Sequence, residues 1–186
     1  LERASSISGL DELEESLWNR AIAWFIDLEE SHTSLAALAF FRSPQPDRSW
    51  VTAAGVILDA ASLRVAAVDL RRSPAAELCI RSGYRALRTV ADYFVIDHDP
   101  HPAASDPISV VRDEFDVALD RLASAEVPLV ADRDHAWDAF AGWRVNYDTV
   151  LIALAALTMA PYAPWSSDRS LAGRRQKLPL RRRRSH

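Results

Sequence analysis

The sequence predicts an all-α protein, an antiparallel bundle of about five helices, and three observations predict it. Apolar residues recur at spacings of three and four almost throughout, the period of one helical face. Ala is abundant while Gly is scarce, five in 186 residues, a balance that favours helix. Capping residues and prolines divide the chain at intervals, with mostly short connections that make successive helices antiparallel. No segment carries the alternating pattern of a strand.

Taken in order, the first helix runs from Leu10 to Phe41. Leu13, Leu17, Ala21, Trp24 and Leu28 form its apolar stripe, followed by Leu35, Leu38 and Phe41. So long a helix invites a kink near Ser31–Ser34, and Pro44 and Pro46 end it because proline cannot continue the hydrogen-bond ladder. A second helix spans about 48–71, capped by Asp47 or by Ser49. Ser73 and Pro74 open a third, with serine as cap and proline at the first position, running to about Phe94. Residues 97–105 form a loop. Asp106-Pro107 repeats the cap-then-proline signal for a helix through about Ser124. Asp132 opens a last long helix ending before Pro161, in which Trp137, Phe140, Tyr147, Val150 or Leu151, Leu154 and Leu157 mark one face.

The composition, 49% apolar and 26% charged, is that of a folded globular domain. Thr149 to Ser167 is uncharged, but Pro161 and Pro164 cut it to about a dozen continuous apolar residues where a span needs about 20. It reads as a core helix. The lone Cys79 excludes an internal disulfide or a multi-cysteine zinc site and reads as a small buried apolar side chain. The chain opens on Leu1 and has no signal-peptide-like run, so a piece of a longer protein is the expectation.

Net charge is −4, unevenly placed. Residues 8–166 form the expected bundle domain and are acidic on balance. Residues 167–186 form an expected disordered tail, where Arg169, Arg174, Arg175, Lys177, Arg181, Arg182, Arg183 and Arg184 face one acid, Asp168. Arg174, Arg175, Lys177 and Arg181 to Arg184 are the candidate residues for an anionic surface, such as acidic lipid headgroups. Aromatics are not interleaved with them, so base stacking and specific nucleic-acid binding are not indicated.

Polar residues inside apolar runs are the candidates for a site. Glu30, His32, Arg42, Ser43, Ser49 and Asp59 come from two consecutive helices and the turn between them. Paired helices bring opposite charges together, and such a hydrogen-bonded network fixes register more than it adds stability. Ser43 and Ser49 cap backbone at the turn. Glu29 and His32 have the Glu-x-x-His spacing of di-iron bundles, which use two such pairs plus further carboxylates. The near match Asp132-x-x-His135 begins a helix, where aspartate is a cap. The loop Asp97-His98-Asp99-Pro100-His101 offers cation ligands and equally reads as a turn. No nucleophile elbow and no phosphate-cradling glycine loop exists. No catalytic residue, metal or cofactor is therefore expected.

One pattern carries a resemblance. Glu30-Ser31-His32, Ser34, Leu38-Ala39, Phe41-Arg42-Ser43, Ser49-Trp50 and Leu58-Asp59, with Arg144, Tyr147 and Asp148 and then Pro161 and Trp165, resemble the C-terminal cytoplasmic region of bacterial two-transmembrane potassium-channel family proteins. Leu35-Ala36 stands where that family has Tyr-Pro, and Leu87-Arg88 where it has Arg-His. The resemblance implies a non-catalytic, all-helical regulatory or assembly domain on the cytoplasmic side of the plasma membrane. Its partners would be a pore domain of the same polypeptide and further copies of itself. Two other readings compete: a helical metal-dependent enzyme using Glu29 and His32, and an anionic-surface module acting through the tail.

Overall fold

The computed structural model describes residues 2–40 and 49–169, with side chains from residue 12 onward. The fold is all-α. Six α-helices follow one another, α1 (Glu2–Ser34), α2 (Trp50–Ala66), α3 (Pro74–Tyr93), α4 (Arg112–Ser124), α5 (Arg133–Arg144) and α6 (Asp148–Leu157), with a 3₁₀ turn at Ala36–Phe40 between the first two. No strand forms among the described residues. A single antiparallel bridge, Val68 with Leu129, ties the exit of α2 to the α4–α5 connection. No helix among the described residues is long and apolar enough to cross a membrane.

N-cap side chains set the starts of α2, α3 and α5. Ser49 takes the amide of Thr52 at 3.3 Å and is the cap of α2. Ser73 takes the amide of Ala76, with Pro74 at the first position of α3. Asp132 accepts from the amides of Asp134 and His135 at 3.0 and 2.9 Å. The Asp106-Pro107 signal is the exception. Asp106 accepts from the amide of Ala103 and closes a turn. Helix α4 begins only at Arg112, where Glu114 reaches back to the Val111 amide at 3.1 Å. A local cap signal is satisfied as well by a turn as by a helix.

Two apolar clusters hold the helices. In the larger, Trp18, Ala21, Phe25 and Leu28 of α1 meet Leu58 of α2, Ile80 and Leu87 of α3, and Leu151 and Leu154 of α6. The smaller joins the end of α2 to α4 and α5 around Phe115, Leu119, Ala136 and Phe140. Helix α3 approaches α1 and α2 through Gly83, where an added Cβ would lie 2.6 Å from Leu58 and 2.7 Å from Phe25.

Two long helices of the sequence reading are divided. The first ends at Ser34, and the chain tightens into the 3₁₀ turn. The last breaks after Arg144. Asn146 donates its side-chain amide to the carbonyls of Gly142 and Trp143, satisfying the end of α5. Arg88 takes the Asn146 carbonyl at 3.0 Å. The Tyr147 amide makes a tight bond to Arg144, and α6 restarts at Asp148. At the far end, Ser167 donates to the Pro161 carbonyl, and Arg169 pairs with Glu114 of α4 and so sits against the bundle.

Helices α3, α4 and α6 finish alike, each without glycine. Val95, Glu126 and Met159 adopt φ of 56°, 59° and 48°. The amides of Ile96, Val127 and Ala160 return to the carbonyls of Ala91, Leu122 and Ala155. This six-to-one bond closes a helix with a left-handed residue that is usually glycine. A side chain there costs about 1–2 kcal/mol, and a β-branched one is the worst fit. Val95 is also 90% exposed, so it recovers little by packing. Val95→Gly should therefore raise unfolding free energy by about 1 kcal/mol. Urea unfolding checks this, with an unchanged or lower midpoint contradicting it.

Candidate functional site

Among the described residues one arginine is completely buried, and the surrounding polar groups are built around it. Arg144 ends α5 at the border between the two apolar clusters, with no exposed surface. Its Nε donates to Asp148 Oδ1 at 2.9 Å, one turn along. Its two terminal nitrogens donate to Asp59 of α2 and to the carbonyl of Trp165 beyond α6. Tyr147 donates its hydroxyl to Asp59 at 2.9 Å and lies 2.9 Å from Ser62 Oγ. Asp148 is completed by Ser109, through its amide at 2.9 Å and its hydroxyl at 2.6 Å. The break at 145–147 makes this possible, because it turns Tyr147 and Asp148 toward α2 and the loop before α4.

The electrostatics follow from burial with opposite charge. Burial alone would favour losing the Arg144 proton, but Asp59 and Asp148 outweigh it and hold the guanidinium above its ordinary pKa. Burial pushes the Asp59 carboxyl up, and Arg144 and Tyr147 offset this only in part. Tyr147 is driven well above the usual phenol range by burial and then by the Asp59 charge, so it remains a neutral donor. These are the features of a positioning centre. The guanidinium nitrogens of Arg144 and the Tyr147 hydroxyl are each engaged by an acceptor of the chain. Cys79 is equally unreactive, its thiol pushed up to about 12 by burial.

The polar residues singled out around the first turn separate. Asp59 joins Arg144. Ser49 caps α2. His32 is buried at the end of α1, with its ring 4.6 Å edge-on from Trp50 and its Nδ1 3.0 Å from Ser31 Oγ. Trp50 in turn donates its indole N–H to the Ala39 carbonyl at 2.9 Å. His32 and Trp50 thus form the joint between α1, the 3₁₀ turn and α2. Glu30 is exposed on α1. Among the described residues no hydrogen bond or ion pair joins its carboxylate to Asp59 or His32. Arg42 and Ser43 lie outside the described residues, as do Arg174, Arg175, Lys177, Arg181, Arg182, Arg183 and Arg184.

Glu29 and His32 gather no further ligands. Among the described residues no group of three or more His, Cys, Asp and Glu converges to hold a metal. His98 of the Asp-His-Pro loop pairs with Asp92 at 2.9 Å. Near the start of α3 a cleft of about 450 Å³ is lined by Glu14, Arg64, Arg71, Arg72 and Ser73. Glu14 engages Arg64 with both oxygens, and Glu77 does the same for Arg72. Its charges are largely neutralised within the chain.

The sequence does not single out Ser109 or the Trp165 carbonyl, it offers Ser62 only as a nucleophile without an elbow, and it does not pair Arg144 with Asp59. A signal existed for the pair. Arg144 falls on the stripe of Trp137, Phe140, Tyr147 and Leu151, while Asp59 and Ser62 follow Val51, Gly55 and Leu58 on α2. Opposite charges on two buried stripes require each other. For Ser109 and a backbone carbonyl no such signal exists.

Fold and site together define an all-helical bundle pinned internally by a buried arginine. Comparison of the chain with protein-family models, curated proteins and solved structures finds no match.

Arg144→Met should destabilise the fold by about 3–5 kcal/mol, because it leaves Asp59 and Asp148 buried without their cation. Urea unfolding reads this, and a loss below about 1 kcal/mol would mean that the carboxylates find other partners. His32 gives a pH prediction. Burial lowers its pKa below 6.5, offset only in part by the backbone at Leu28. The unfolded chain therefore binds the proton first, and stability falls as pH drops through 6.5 toward the depressed native value. The wild-type urea midpoint should decline more steeply from pH 7.5 to 5.5 than that of His32→Gln. Equal slopes would place no proton linkage at His32.

Proposed function

We propose that the chain is a non-catalytic regulatory or assembly domain of a potassium-channel-like membrane protein, attached to a pore domain of the same polypeptide on its cytoplasmic side. One observation supports the reading: ten residues of the channel-family resemblance, which spans about 30 to 165, meet at two joints, while Glu30 stands apart and Phe41, Arg42 and Ser43 lie outside the described residues. Ser31, His32, Ala39, Ser49 and Trp50 meet where α1 passes into α2. Asp59, Arg144, Tyr147, Asp148 and Trp165 meet at the buried arginine. Residues whose shared work is to set helix positions suit a domain that transmits or holds geometry. A buried ion network serves specificity of arrangement more than stability.

The gene's reading frame and a flux assay test this together. Two membrane-spanning helices flanking a pore sequence are expected upstream of Leu1. Thallium flux into vesicles holding the full polypeptide should change severalfold with Arg144→Met, an order of effect set by a coupling of about 1–3 kcal/mol. A reading frame without that helix pair, or flux indifferent to the substitution, removes the proposal.

A further inference from the structure

The segment after α6 is bonded almost wholly to itself. The Ser166 and Asp168 amides donate to the Ala163 carbonyl at 3.4 and 3.3 Å, and the Arg169 amide donates to the Ser166 carbonyl. The Ser167 hydroxyl joins both ends of the segment, accepting from the Ala163 amide at 2.7 Å and donating to the Pro161 carbonyl. Asp168 accepts from the Ser166 amide at 3.1 Å and pairs with Arg169 at 3.3 Å. Among the described residues no backbone–backbone hydrogen bond joins 161–169 to a helix.

Its attachments to the bundle are few and made through side chains. Arg144 donates to the Trp165 carbonyl. The Trp165 ring lies 5.7 Å from Phe140. Ser166 sits over Gly55, where an added Cβ would come within 3.5 Å of the serine Cβ. Arg169 pairs with Glu114 and points a second nitrogen at the Ser109 carbonyl. At the point of attachment the backbone is strained. Trp165 has φ of 62° in the turn after Pro164, at the position where glycine is preferred. Such strain persists only while the surroundings hold it.

We propose that residues 161–169 form a preassembled strap that lifts off the Arg144 centre as a unit while the bundle stays folded. Lifting breaks few bonds, because the strap keeps its own. The hinge is at Met159–Pro161, where Met159 is already left-handed and Pro161 carries no amide to lose. Opening bares one edge of the Arg144 guanidinium and the face of Phe140 to an acceptor from outside the chain. This device stands independently of the channel reading.

Thiol labelling of the full chain tests it. Ser166→Cys places a thiol at a 2% exposed site, and Cys79, fully buried in the bundle, reports global unfolding in the same molecule. If the strap opens locally, the introduced thiol reacts at least about tenfold faster than Cys79, at a rate insensitive to low urea. Trp165→Ala or Arg169→Gln, added singly, should speed that reaction further and leave Cys79 unchanged. Reaction of both thiols at one rate with one urea dependence would overturn the proposal. So would equal acceleration of both by the added substitutions, or an introduced thiol that reacts like a free one in the native chain.

Discussion

The structure depends on the desolvated guanidinium of Arg144. Taking that charge out of water costs several kcal/mol unless good geometry restores its interactions. The chain meets this requirement with acceptors from three places: α2, the start of α6, and the turn that holds Trp165. Each acceptor is itself constrained. Asp59 receives Tyr147, and Asp148 receives Ser109. Moving α2 or α6 would strand a charge, so the centre sets the spacing of α2, α5 and α6 together. The apolar clusters supply the bulk of the driving force and tolerate sliding. The arginine does not.

The break between α5 and α6 is a consequence of the same constraint. In an unbroken helix Arg144, Tyr147 and Asp148 would project from one cylinder. The turn at 145–147 lets Arg144 point along the border of the two clusters while Tyr147 and Asp148 reach different neighbours. Asn146 and Arg88 make the break affordable by satisfying the carbonyls it exposes. The interruption costs about one helical turn of backbone bonding and allows a network that spans the domain.

A positioning centre and a reactive one differ in what is free. Here the strong donors are engaged, the Tyr147 hydroxyl is held neutral, and the Cys79 thiol is kept protonated by burial. At the second joint the His32 Nδ1 lies against Ser31, while its buried Nε2 has no hydrogen-bond partner among the described residues. His32 is pushed toward its neutral form against the edge of Trp50. A role in holding and transmitting helix position asks only that the partners remain, or that one of them, the strap, can leave.

The helical class, the caps at Ser49, Ser73 and Asp132, and the burial of Cys79 were legible in the sequence, because each follows from periodicity or from bonding between residues a few positions apart. The ends of α3 and α4, near Phe94 and Ser124, were legible too, but the way α3, α4 and α6 close was not. They close on Val95, Glu126 and Met159, which carry no stop signal, in place of the glycine that would have announced them. Asp59 was recognisable as a charge in an apolar run, yet its natural partner seemed to be a cation on the neighbouring segment. Its partner among the described residues is Arg144, 85 positions away, and the choice was made by packing α2 against α5. Local sequence determines where a helix can begin and which face it hides. Which buried charge meets which is decided only when the hidden faces are brought together, since an ion pair inside a protein depends on distance in space and is indifferent to distance along the chain.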